Sequence, residues 1–117
     1  MDEKTFKDRT RRFALEVIRF VHSLPKGRTT DVIGRQLLRS GTSVGANYRA
    51  ACRGRSTADV LAKLGIVEEE ADESIYWMEL LVDAATVPAD RLTGLKKEAD
   101  ETVAMTVASI KTLRAKL

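Results

Sequence analysis

Only two prolines, Pro25 and Pro88, interrupt this chain of 117 residues, and that scarcity leaves long stretches free to be helical. Cysteine is scarcer still. Cys52 stands alone, which excludes an internal disulfide and fits a reducing compartment. The one histidine, His22, has no partners at metal-ligand spacing, so neither a metal site nor a histidine-based catalytic pair is expected. The acidic run Glu68-Glu69-Glu70, Asp72 and Glu73 has no Glu-x-x-His partner for a di-iron centre. Gly41-x-x-x-Gly45 lacks the Lys-Ser/Thr and the preceding strand of a phosphate loop. No catalytic residue and no cofactor is therefore expected. No apolar run nears the roughly 20 residues that span a bilayer, and Met1-Asp2-Glu3-Lys4 opens no secretion signal. A cytoplasmic protein without membrane contact follows as the expectation. Strand-like alternation is missing as well.

What is present is helical periodicity between three breaks, at Pro25-Lys26-Gly27-Arg28, Arg53-Gly54-Arg55-Ser56 and Thr86-Val87-Pro88-Ala89. The first segment predicts a helix from about Glu3 to Leu24, with Phe6, Thr10, Phe13, Val17, Phe20 and Leu24 forming one seam. The third has the most regular spacing, with Val60, Leu64, Val67, Ala71, Ser74, Met78, Leu81 and Ala85 separated by fours and threes. Ser56 or Thr57 is its expected N-cap, with Asp59 in its first turn. The fourth uses Leu92, Leu95, Ala99, Val103, Ile110, Leu113 and Leu117, with Asp90 expected as cap or first-turn acid. Short loops between long helices force antiparallel neighbours. The fold class is all-α, one domain over residues 1 to 117, an antiparallel up-and-down four-helix bundle.

The second segment, Thr30 to Arg53, departs from ordinary helix composition. On a wheel, Gly34, Gly41 and Gly45 fall within a strip about 40° wide, inside an apolar arc. Each glycine inside a helix costs about 1 kcal/mol relative to alanine. Three in one strip point to close packing, either against another helix of the bundle or against a neighbouring subunit or ligand. Beside them Arg35, Arg39, Arg49 and Arg53 share a window about 80° wide, and Arg55 follows in the loop. No acidic residue occurs between Asp31 and Asp59. Such a stripe suits phosphate oxygens along a nucleic-acid backbone. The acidic run in the third segment offers a second use for it, as salt bridges within or between subunits. Charge also divides by half: residues 1–55 hold thirteen Lys/Arg and five Asp/Glu, whereas residues 56–101 hold four and twelve. Cys52, near the glycine strip, is expected to be packed, and Tyr76 and Trp77 to be core or subunit contacts.

The stretch Gln36-Leu37-Leu38-Arg39-Ser40-Gly41-Thr42-Ser43-Val44-Gly45-Ala46-Asn47, then Gly54-Arg55-Ser56, then Leu64-Gly65-Ile66-Val67-Glu68-Glu69-Glu70, resembles the bacterial four-helix bundle protein family. That family is also named after proteins encoded in intervening sequences of large-subunit ribosomal RNA genes. It is similar to the accessory protein of diversity-generating retroelements, a basic pentamer that engages nucleic acid and a reverse transcriptase. The resemblance implies a homo-oligomer, a pentamer, with RNA or DNA and a protein partner such as a reverse transcriptase as further partners. Where the family often has alanine, this chain has Gly41, and Tyr48-Arg49 replaces a commonly less basic pair, which favours polyanion contact. The reading is a non-enzymatic, homo-oligomeric nucleic-acid-binding accessory protein. Its expected phosphate contacts are Arg35, Arg39, Arg49, Arg53 and Arg55, joined by Arg28, Lys26, Arg11 and Arg12. The alternative is an oligomeric interaction scaffold whose arginines pair with the acidic face of the third helix.

Overall fold

The computed structural model describes residues 2–117, which form four α-helices and one short 3-10 turn. Helix α1 spans Glu3–His22, α2 Arg28–Cys52, α3 Thr57–Asp83 and α4 Thr93–Arg114, with the 3-10 turn at Ala89–Arg91. α1 packs on α2, α2 on α3 and α3 on α4, while α1 and α4 touch far less, in a rod of 48 × 20 × 20 Å. The described elements thus make an up-and-down helical bundle, left more open along the α1/α4 seam. None of its helices is long and apolar enough to cross a membrane.

The helix ends follow from local chemistry. Asp2 caps α1 by accepting the backbone N–H of Thr5 at 2.8 Å. The Ser56 hydroxyl accepts the backbone N–H of Asp59 at 3.1 Å, and the Asp59 carboxylate reaches back to the backbone N–H of Arg55 at 3.1 Å. This is a reciprocal arrangement like a capping box. α3 ends at Asp83, where Ala85 adopts a left-handed φ of 59° and the Thr86 N–H returns to the Leu81 carbonyl at 3.0 Å. That six-to-one bond is the Schellman pattern, so Ala85 lies in an exposed cap and is not part of the seam.

The fourth helix differs from expectation in two ways. Asp90 lies in the 3-10 turn, and α4 starts after Leu92 without a side-chain cap. The chain bends there to bury Leu92, which is 2% exposed, and Asp90 is left two residues too early to cap. The buried seam is Leu92, Leu95, Ala99, Thr102, Thr106 and Ile110, with Val103 only partly buried and Leu117 exposed. Threonine enters this core because each hydroxyl donates to a carbonyl four residues earlier, Thr102 to Glu98 at 2.9 Å and Thr106 to Thr102 at 2.7 Å. Elsewhere the seams fall as the periodicity predicts, with Phe13, Val17, Leu37, Val44, Val67, Ala71, Met78 and Leu81 in the centre. A second cluster of Ala51, Leu64 and Ile110 closes one end.

Candidate nucleic-acid interface

The glycine strip of α2 lies against α1. A Cβ added at Gly34 would stand 3.2 Å from a Leu24 methyl. At Gly41 it would stand 2.9 Å from both Val17 methyls, and at Gly45 3.2 Å from the Thr10 hydroxyl and 3.4 Å from the Thr10 carbonyl carbon. Contacts run antiparallel, each step up α2 matched by a step down α1, so the close approach is made inside one chain. The same approach sets side chains on the flanks of the two helices opposite each other. Lys7 and Arg11 of α1, with Asp8 between them in sequence, face Arg49 and Arg53 of α2 across a groove whose floor includes Thr10, Ala14, Gly45 and Ala46. On the other side of α2, Arg49 and Arg53 share a second groove with Arg55, Asp59 and Lys63.

These cations differ in how they are compensated. Lys63 pairs with Asp59 at 2.6 Å, and Lys7 lies 3.8 Å from Glu3. The Lys63 ammonium and the backbone N–H of Arg55 hold the Asp59 carboxyl below its ordinary value. Among the described residues, Arg11, Arg49, Arg53 and Arg55 take part in none of the ion pairs. The last three are exposed and so is Arg11, so their guanidinium donors face water.

Arg39 is set apart from its neighbours. It donates to Glu70 at 3.0 Å and to Glu73 at 2.6 Å on α3, and Glu73 also accepts the Trp77 indole N–H at 3.3 Å. The hydrogen bonds it donates to Glu70 and then to Glu73 hold the Arg39 guanidinium protonated beyond its already high value, and Arg39 in turn depresses the Glu73 carboxyl. Arg39 therefore belongs to an α2–α3 clasp, its charge compensated by two carboxylates although its side chain stays half exposed. Arg35 lies at the opposite end from Arg49, in a shallow groove with Lys26, Asp31 and Gly34. Arg28 is exposed in the first turn of α2, and Arg12 is exposed on α1 without lining the α1/α2 groove. The sequence-level stripe is thus two clusters separated by an ion-paired centre.

Lys7 and Lys63 join the basic clusters from outside the expected arginine stripe. The glycine strip held a signal for Lys7, because a strip that packs on α1 in antiparallel register brings the α1 N-terminal turns beside Arg49. Lys63 depends on the α2–α3 turn geometry and had no such signal. Other singled-out residues fall outside the clusters. Cys52 is half-buried, and burial pushes its thiol up. Tyr48 is likewise raised by burial and meets Phe6 edge-on at 4.4 Å. His22 is exposed at the end of α1. Trp77 packs on the core, and Tyr76, 54% exposed, leans edge-on against it.

No curated protein matches the chain. A crystal structure of a protein of unknown function from the S23 ribosomal protein family of Bacteroides thetaiotaomicron superposes with a TM-score of 0.88 at 32% identity, covering 95% of this chain and 99% of that one. The sequence pattern of the 23S rRNA-intervening sequence proteins matches residues 3–108. With that pattern over most of its length and a bundle of the same shape, the chain belongs to the 23S rRNA-intervening sequence protein family.

Proposed function

We propose that this protein is a non-enzymatic accessory protein that binds nucleic-acid phosphates, RNA before DNA, through the basic clusters of α2. The observation that carries the reading is the convergence of Arg11, Arg49, Arg53 and Arg55, exposed and outside every ion pair among the described residues. Free guanidinium forks grip phosphate oxygens and release condensed counterions when they do. The family's name, which refers to 23S rRNA, supports RNA as the first ligand to try. Assembly into a homo-oligomer, a ring of five by resemblance, belongs to the same proposal, and so does a cytoplasmic location.

Gel-shift titration of generic RNA and DNA at low salt tests the reading. Binding is expected with wild-type protein and is expected to fall by at least about tenfold for R49A/R53A, at about 1 kcal/mol or more per charge-assisted contact. Absence of any shift at low salt would sink it.

A second reading, an interaction scaffold, draws on the clasp of Arg39 with Glu70 and Glu73. It also draws on the exposed acids Glu69 and Asp72 together with Ile66 and Tyr76 on α3. On that reading the arginines of one copy meet the acids of the next. Light scattering then separates the two: R49A/R53A would dissolve the oligomer under the scaffold reading and leave it whole under the nucleic-acid reading.

A further inference from the structure

Three features of the basic face constrain what kind of nucleic acid it fits. The first is an absence. None of the three grooves that hold its cations, around Arg35, around Arg55 and between α1 and α2, has an aromatic residue in its lining. Phe6 and Tyr48 are packed on each other, and exposed Tyr76 lies on α3 against Trp77. Surfaces that hold single strands stack unpaired bases on aromatic rings, which supply much of the affinity. A cationic surface without such rings engages only the backbone, so the bases must already be stacked on one another, as in a duplex.

The second feature is spacing. Arg35 lies within α2 and Arg53 is the residue that caps its C-terminus, eighteen positions on, about five turns, so the two stand near one angular position about 27 Å apart along the axis. Both are exposed. The third is the neutral stretch between them. Arg39 is held by Glu70 and Glu73, and the α2 residues that follow toward Arg49 on this side, Thr42 and Ala46, are short and uncharged. Two cationic points flanking a stretch whose one cation is ion-paired match a double helix lying along α2, whose backbone approaches the protein, recedes at a groove and returns. The spacing is shorter than the turn of B-form DNA, roughly 34–36 Å, and suits the more compressed turn of an A-form helix recognised by shape through its phosphates and 2′-hydroxyls.

We infer that this face takes an A-form RNA duplex, gripped through its phosphates at two points along α2, Arg49 and Arg53 with Lys7 and Arg11 at one end and Arg35 with Lys26 and Arg28 at the other. The inference rests on the nucleic-acid reading above and adds to it the form of the ligand and the two-point grip.

Fluorescence anisotropy on the full chain tests it with four labelled probes: an RNA duplex of about 20 base pairs, long enough for both clusters, the DNA duplex of the same sequence, one strand of the RNA alone, and an RNA duplex of about 8 base pairs that reaches a single cluster. The long RNA duplex is expected to bind at least about tenfold more tightly than the DNA duplex or the single strand. Arg53→Ala should weaken both RNA duplexes. Arg35→Ala should weaken the long one several-fold and leave the short one unchanged. Equal or tighter binding of the single strand overturns the duplex, and equal binding of the DNA overturns the A-form preference. An Arg35→Ala effect that is absent, or the same for both lengths, overturns the two-point grip. In each of those cases the protein still binds nucleic acid, whereas failure to bind any probe at low salt overturns the function proposed above together with this inference.

Discussion

Gly41 and Gly65 make opposite predictions from the same substitution. A methyl group at Gly41 would press on both Val17 methyls at 2.9 Å, and Val17 is fully buried. The overpacking, about 1–3 kcal/mol, exceeds the gain of up to about 1 kcal/mol from removing a helix glycine, so Gly41→Ala is expected to destabilise by about 1 kcal/mol. Nothing lies within 4 Å of a Cβ at Gly65, so Gly65→Ala should stabilise by about 0.5–1 kcal/mol. Urea titrations of both variants check the signs. Ala85 offers a third case: its left-handed φ of 59° carries a penalty of about 1 kcal/mol for a residue with a Cβ, and Ala85→Gly should recover much of it. The glycine strip was legible in the sequence because it violates helix propensity, but its partner was not, since neighbouring helix and neighbouring subunit present the same pattern. Thr102 and Thr106 were not legible as core, because a threonine that satisfies its own hydroxyl on the helix carries no hydrophobic signature.

Between elements, polar side chains do what sparse packing leaves undone. Arg9 of α1 donates through Nε and Nη2 to Glu98 of α4 at 3.0 and 2.6 Å and through Nη2 to Glu101 at 3.2 Å. It spans the seam where the bundle is most open, and the carboxylates raise its own affinity for the proton, Glu98 foremost. A bidentate, partly buried pair of this kind contributes about 1 kcal/mol, so Arg9→Met is expected to loosen α4 by that amount, seen as faster amide exchange in α4 than in α2. The α2–α3 clasp adds a pH signature. Arg39 holds the Glu73 carboxyl below its ordinary value of 4.5, so the folded state binds this proton more weakly than the unfolded chain. The clasp then contributes fully above about pH 4.5 and is lost as pH falls through the lower folded value. Thermal unfolding of wild-type and Glu73→Gln protein between about pH 6 and 3 should converge toward the acid end; an unchanged gap would contradict the clasp. Helix number, order and antiparallel course were legible from periodicity and loop length. The pairing of Arg39 was not, because the sequence offered the same arginine to phosphate, to α3 and to another subunit, and it takes the packed α2/α3 register, with Ser40 and Ser74 hydrogen-bonded at 2.9 Å, to set Arg39 over Glu70 and Glu73.

At the scale of the molecule, the charge split seen along the sequence becomes a split across the rod. α1 and α2 carry the basic half, the acidic charge is concentrated on α3, and α4 is nearly balanced, and because adjacent helices run antiparallel the basic and acidic helices lie side by side along a rod 48 Å long. This was readable from composition once the topology was known, whereas the division of α2 into two basic ends required the ion pairs. A polyanion approaching the rod is drawn to one long face and repelled from the other, so its affinity should depend on salt in proportion to the phosphates engaged. Four unpaired arginines at one end, Arg11, Arg49, Arg53 and Arg55, imply a slope of log K against log salt of roughly −3 to −4 per subunit on a short duplex that reaches that end alone, if each meets one phosphate, and a steeper one on a duplex that reaches both ends. Removing two of them in R49A/R53A should reduce the slope by about 2, and R39A should leave it unchanged within about 0.5 because that guanidinium is already satisfied on α3. Titrations between roughly 50 and 200 mM salt measure all three slopes. An R39A slope that falls as far as that of a single Arg49→Ala variant would place Arg39 on the phosphates and break the division into two clusters.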